Sequence, residues 1–110
     1  MTTVSDILNR AADLIEPEGA WTQYTLALNK DHVSCDPKQD DAACFCAMGA
    51  IVRAANIEDD EYYEAALTEL SAHVGFHVPT WNDAPERTQS EVVSALRAAA
   101  LAAQEAEARR

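Results

Sequence analysis

The sequence predicts a mainly α domain: four helices, with a small β-hairpin between the first and the second. Three observations predict it. Of 53 apolar residues, 22 are Ala, the strongest helix former. Three Gly and four Pro supply too little punctuation for an all-β fold. Long stretches carry apolar residues at helical spacing. At 110 residues, a single helical domain spanning residues 1–110 is the expected organisation.

The first helix is predicted from Val4, Ile7, Leu8, Ala11, Leu14 and Ile15, which form one apolar stripe. Thr3 or Ser5 can cap its start, Asp6 suits its first turn, and Pro17 and Gly19 stop it. Residues 21–29, WTQYTLALN, change to period two, and Asn29-Lys30-Asp31 is turn chemistry. Residues 32–35 are therefore expected to return as the second strand of a hairpin. After the polar loop 36–41, residues 42–55 form an almost wholly apolar run that predicts a central core helix, with Arg53 its only charge. Gly49 within that run implies close approach of another backbone, because glycine costs up to about 1 kcal/mol in a helix interior.

A third helix is expected from residue 59 or 60 to 74, with Tyr63, Ala66, Leu67, Leu70 and Val74 on one face and Gly75 as its stop. Phe76, His77 and Val78 read as extended, and Pro79 and Pro85 bracket a turn at residues 80–84. Thr88 and Glu91 form a capping box for the last helix, residues 88–108. Its stripe is Val92, Leu96, Ala99 and Ala103, and its final residues are expected to fray. Leu101 lies opposite the stripe and permits a homodimer contact.

Charge narrows the function classes. The formal net charge of −11 opposes direct nucleic-acid binding and binding to anionic membranes. It suits solubility, a basic protein partner, or mimicry of nucleic acid. The longest uncharged apolar run, residues 42–52, is too short for a membrane helix. The opening MTTVSDILNR lacks a basic region followed by a long apolar stretch, so no secretory leader is expected. Three cysteines are then expected as thiols in the cytoplasm.

Three segments carry a family resemblance: Gly19-Ala20-Trp21-Thr22-Gln23 after the opening helix, Cys44-Phe45-Cys46-Ala47-Met48-Gly49-Ala50-Ile51, and Trp81-Asn82-Asp83-Ala84-Pro85-Glu86-Arg87-Thr88. Together they resemble a small family of bacterial and phage proteins described only as a domain of unknown function. The family commonly places Gly directly before Trp, where Ala20 intervenes here. The resemblance implies a small helical domain and brings no activity and no catalytic residues with it.

Four constellations could carry chemistry. Cys44 or Cys46, then His77, then Asn82 or Asp83, follows the chain order of papain-like and transglutaminase-like thiol enzymes, with the Cys at a helix N-terminus. Against it, Asp40 and Asp41 flank the thiols, and Phe45 and Met48 predict burial. His32, Cys35, Cys44, Cys46, His73 and His77 are available zinc ligands, but Cys44 and Cys46 point apart in a helix and no C-x-x-C pair exists. No metal and no cofactor is expected.

Glu58, Asp59, Asp60, Glu61, Glu64 and Glu69 form an acidic stretch with no Lys or Arg among them. It reads as a well-capped helix start or as a docking face for a basic partner. Trp81, Asn82, Asp83, Pro85, Arg87 and Thr88 form the last set. Structurally, Trp81 would plug the core and Arg87 would pair with Asp83 or reach a carboxylate elsewhere. Functionally, Trp81 would be a platform and Arg87 an anion contact. The preferred expectation is a small acidic, non-enzymatic accessory protein of bacterial or phage type that binds another protein, as an inhibitor in one form. The rivals are a cysteine-dependent hydrolase or transferase and a nucleic-acid-mimicking inhibitor.

Overall fold

The computed structural model describes residues 2–55 and 60–109. Among them, the elements in chain order are α1 (Val4–Ile15), β1 (Ala27–Asn29), β2 (Ala42–Phe45), α2 (Ala47–Ala54), α3 (Asp60–Val74), α4 (Val78–Asn82) and α5 (Gln89–Ala108). The mainly helical class with one small antiparallel hairpin is as predicted. The helices number five among the described residues rather than four, because residues expected to be extended or in a turn wind into α4.

Helices α1 and α5 run antiparallel and form the largest helix–helix interface of the fold. Ile7, Leu8, Ala11, Ala12 and Ile15 of α1 are fully buried, against the buried stripe Val92, Leu96, Ala99 and Ala103 of α5. Alanine on both surfaces lets the backbones come close. Polar side chains hold the pair at three heights. Ser5 Oγ donates to Glu107 at one end (2.7 Å). Arg97 reaches Asn9, Asp13 and Glu16 in the middle. Gln89 Nε2 donates to the carbonyls of Ile15 and Pro17 at the other end (2.6 and 2.7 Å). Gln89 thus satisfies carbonyls that the end of α1 leaves without a helical donor. Near the end of α5, Glu107 also accepts the Ser5 N–H of the first turn of α1.

The N-terminal caps predicted for the first and last helices form, whereas α2 is capped by Cys46 and not by Asp40 or Asp41. Thr3 and Asp6 exchange bonds as a capping box on α1, and Thr88 and Glu91 do so on α5. The Thr88 N–H, then its hydroxyl, hold the Glu91 carboxyl below the ordinary carboxylate range.

The run at residues 42–55 is where sequence and structure differ most. A continuous apolar segment reads equally as buried helix or buried strand. Here residues 42–45 are strand. Phe45 donates to Ala20 O and accepts from Thr22 N, and Cys46 N donates to Leu26 O. These bonds draw the backbone into a sheet, so the helix starts only at Ala47. β2 therefore partners β1, with Ala27 opposite Phe45 and Leu28 opposite Cys44. Residues 32–35, expected as the second strand, contribute a single bridge, Ser34 to Leu28. The remaining helix α2 is still an inner element, touching α1, α3, α4 and β2.

Gly49 has the predicted reason. A methyl group at its α-carbon would overlap the backbone carbonyl of Leu26, so the residue that leads into β1 lies directly on the helix. Gly75, at φ +71°, closes α3 in the left-handed region that glycine adopts without strain.

Gly49→Ala should destabilise the fold by about 1–3 kcal/mol, although alanine is the better helix former, because a rigid carbonyl occupies the space. Urea denaturation would show this as a lower midpoint. A raised midpoint would mean that β1 and α2 can separate at no cost.

Candidate functional site

Three segments distant in sequence meet at α4. They are residues 21–24, the start of α2, and the turn that leads from α4 to α5. Asn82, at the end of α4, is fully buried. Its Oδ1 accepts the indole N–H of Trp21 (2.8 Å) and the backbone N–H of Ala47 (2.9 Å). Its Nδ2 donates to Thr22 O (3.2 Å) and to Asp83 Oδ1 (3.0 Å). All four hydrogen-bonding positions of the carboxamide are filled, and this pattern fixes which atom is oxygen.

The surrounding bonds lock the same corner. Gln23 Nε2 donates to the carbonyls of Asn82 and Ala84 (3.0 Å each). Asp83 Oδ1 accepts the Tyr24 N–H (2.9 Å). Tyr24 takes φ +70°, a strained value for a bulky residue, and its side chain is 73% exposed. The Ala47 N–H taken by Asn82 belongs to the first turn of α2. Cys46 caps the same turn, its Sγ accepting the Gly49 N–H at 3.3 Å.

Trp81 and Arg87 form a ridge beside this corner. Trp81 is half-buried against the core. The Arg87 guanidinium lies 4.4 Å from the centre of its ring, within cation–π range. Arg87 also donates to Trp81 O through Nε (2.9 Å) and pairs with Glu91 (3.3 Å). Of the two expected partners, Arg87 thus takes the carboxylate elsewhere, while Asp83 is committed to Tyr24 and Asn82. One depression of about 600 Å³ lies on the Phe76 and Pro85 side of the ridge. Another, of about 490 Å³, lies on the α5 side, against Ser90 and Ser94. A third hollow of about 420 Å³, mostly apolar, separates α3 from α4 and is lined by Met48, Leu67 and His77.

The thiols stand differently from the sequence expectation. Cys44 is in a strand, not in the first turn of a helix, and its Sγ donates to Gly19 O (3.2 Å). Cys46 is the N-cap of α2, and its thiol is pushed up from the ordinary value, chiefly by burial, with Asp83 adding to the rise. Cys35 is also pushed up, by desolvation first and then by Asp41 and Asp36. His77 is exposed, its Nδ1 bonded to Thr80 Oγ1 (3.0 Å) and its backbone capping α4. Among the described residues, no group of three or more His, Cys, Asp or Glu is placed to hold a metal ion. In the acidic stretch, Glu58 and Asp59 lie outside the described residues, Asp60 and Glu61 open α3, and Glu64 is exposed.

The sequence reading placed Asn82 in the turn, but not Trp21 and Ala47 on its carboxamide. One signal points there: the indole N–H of a Trp packed against a core needs an acceptor.

Two outcomes test these assignments. Asn82→Ala leaves the Trp21 and Ala47 N–H groups buried without acceptors and should cost about 2–5 kcal/mol, more than Trp81→Ala costs. Comparing denaturation midpoints decides it, and a larger loss for Trp81→Ala would move the hub to the indole. In native protein, Cys35 should alkylate first, speeding up only at alkaline pH, while Cys44 and Cys46 resist until unfolding. Mass-spectrometric labelling of any thiol well below about pH 8 would instead reveal an activated nucleophile.

No curated protein and no solved structure matches the chain. A family model matches residues 1–102, nearly the whole length, in agreement with the resemblance carried by the Cys44–Ile51 and Trp81–Thr88 segments. The chain belongs to that family, the family of unknown function DUF6197.

Proposed function

We propose that the protein is a small acidic binding module that acts by covering a basic surface on another protein. One observation carries this reading: among the described residues, most of the negative charge is unanswered by ion pairs, which take up only Asp13, Glu16 and Glu91. Two of the eight cations are spent elsewhere. Arg53 donates to the carbonyls of Pro37 and Gln39, and Lys38 to that of Ala55. These contacts pin the loop at residues 36–41 to the end of α2 and neutralise no carboxylate.

A surface of that sign attracts and orients a basic partner and repels nucleic acid and acidic membranes. Such a module becomes an inhibitor where the basic surface it covers is the partner's working face. The thiol-enzyme alternative needs an exposed, low-pKa thiol beside a base. Cys46 has the opposite setting, buried and with its ionisation disfavoured. Among the described residues, no helix is long and apolar enough to cross a membrane.

Affinity capture from lysate of the source cell, at low salt and again near 1 M, is the direct test. Screening shortens to about 3 Å at the higher salt. A stoichiometric partner should be released there, and should be held poorly by the Glu61→Lys, Glu64→Lys double variant. A partner retained despite both salt and charge reversal would remove the electrostatic reading.

A further inference from the structure

Given an acidic module of this kind, we propose that the depression beside α4, between Phe76 and Glu86, seats an arginine or lysine side chain from a basic segment of the partner. The depression has the volume for it, about 600 Å³. Its aromatic wall is held in place. Phe76 is 57% exposed, yet Ser71 bonds both its backbone groups: Phe76 N donates to Ser71 O (3.3 Å), and Ser71 Oγ donates to Phe76 O (3.1 Å). With its backbone already fixed, the exposed residue has only side-chain freedom to lose on binding.

The charge around the depression selects the ligand. Asp83 and Glu86 both line it. Asp83 spends Oδ1 on Tyr24 and Asn82, and Oδ2 takes part in neither bond. Glu86 is exposed. The one cation of the wall, Arg87, is held over Trp81, and its charge is answered by Glu91. Two acidic residues and an exposed aromatic residue therefore line the space, beside an arginine already paired with Glu91. This is the chemistry that receives a cation, by charge-assisted hydrogen bonds to the carboxylates and by cation–π contact with the ring. An anion would meet Asp83 and Glu86. An apolar side chain would desolvate Asp83 and return no hydrogen bond.

The test titrates ¹⁵N-labelled protein with a short peptide of alternating Arg and Gly at low ionic strength, and with a Glu/Gly peptide of equal length as control. The Trp81 indole N–H and the amides of Phe76 and Glu86 should shift saturably with the basic peptide alone. The Trp21 indole, held by Asn82, should stay put. Phe76→Ala and Glu86→Gln, both at exposed positions, should each weaken binding about three- to fivefold, the size of one exposed cation–aromatic contact. Saturable shifts confined to α3, with affinity unchanged in both variants, would overturn this site and leave the acidic module standing. No saturable binding of the basic peptide at low salt would overturn both.

Discussion

A carboxamide buried in an apolar core is tolerable only when every one of its bonds is made. Asn82 meets that condition with partners from three separate stretches of chain. Each partner has its own need. The Trp21 indole must find an acceptor away from water, and Ala47 has no helical acceptor because it opens α2. One side chain answers both and, through Thr22, holds the segment that bridges to Phe45 of β2. The strained backbone of Tyr24 persists because its N–H is anchored to the neighbouring Asp83. Buried polar groups of this kind stabilise little in net terms, yet they exclude other arrangements, since any slip strands several groups at once.

The sequence made the helical class legible because alanine and capping chemistry act locally. Thr3 with Asp6, Thr88 with Glu91, and Gly75 each mark a boundary that neighbouring residues settle between themselves. The apolar stripe of α5 was legible for the same reason. Residues 42–45 were not. Ala-Ala-Cys-Phe suits either a strand or a buried helix, and the choice falls to Ala20, Thr22 and Leu26, which lie some twenty residues earlier. Once that strand is misread, the pairing of the hairpin follows it, and 32–35 takes the place of β2. The turn around α4 fails to read for a related reason. Val78 and Pro79 accept the first turn of a helix as readily as an extended path, and Asn82 at its end settles the choice by reaching into the core.

At the candidate site, the residue types were visible and their pairing was not. Trp81, Asp83 and Arg87 are close in sequence, which invited an ion pair between the last two. In the fold, Arg87 turns back over Trp81 toward α5, and Asp83 turns toward Tyr24. The electrostatic character of that corner therefore has the sign of its carboxylates, although an arginine sits in its wall. Elsewhere among the described residues, Arg53 and Lys38 likewise serve backbone carbonyls instead of acids.

The pairing of α1 with α5 also sets an order of events. Ser5 and Glu107 are 102 residues apart, and the first helix has its largest partner in the last one. During synthesis, the apolar face of α1 emerges long before the surface that covers it exists. The hairpin and α2 can give it partial shelter earlier, but closure waits until α5 has left the ribosome. Between the emergence of α1 and that of α5, the nascent chain therefore carries an uncovered stripe of Ile, Leu and Ala. That makes it a natural client for chaperones that hold short apolar segments, and it makes truncation within α5 far more damaging than the helix's exposed outer face suggests.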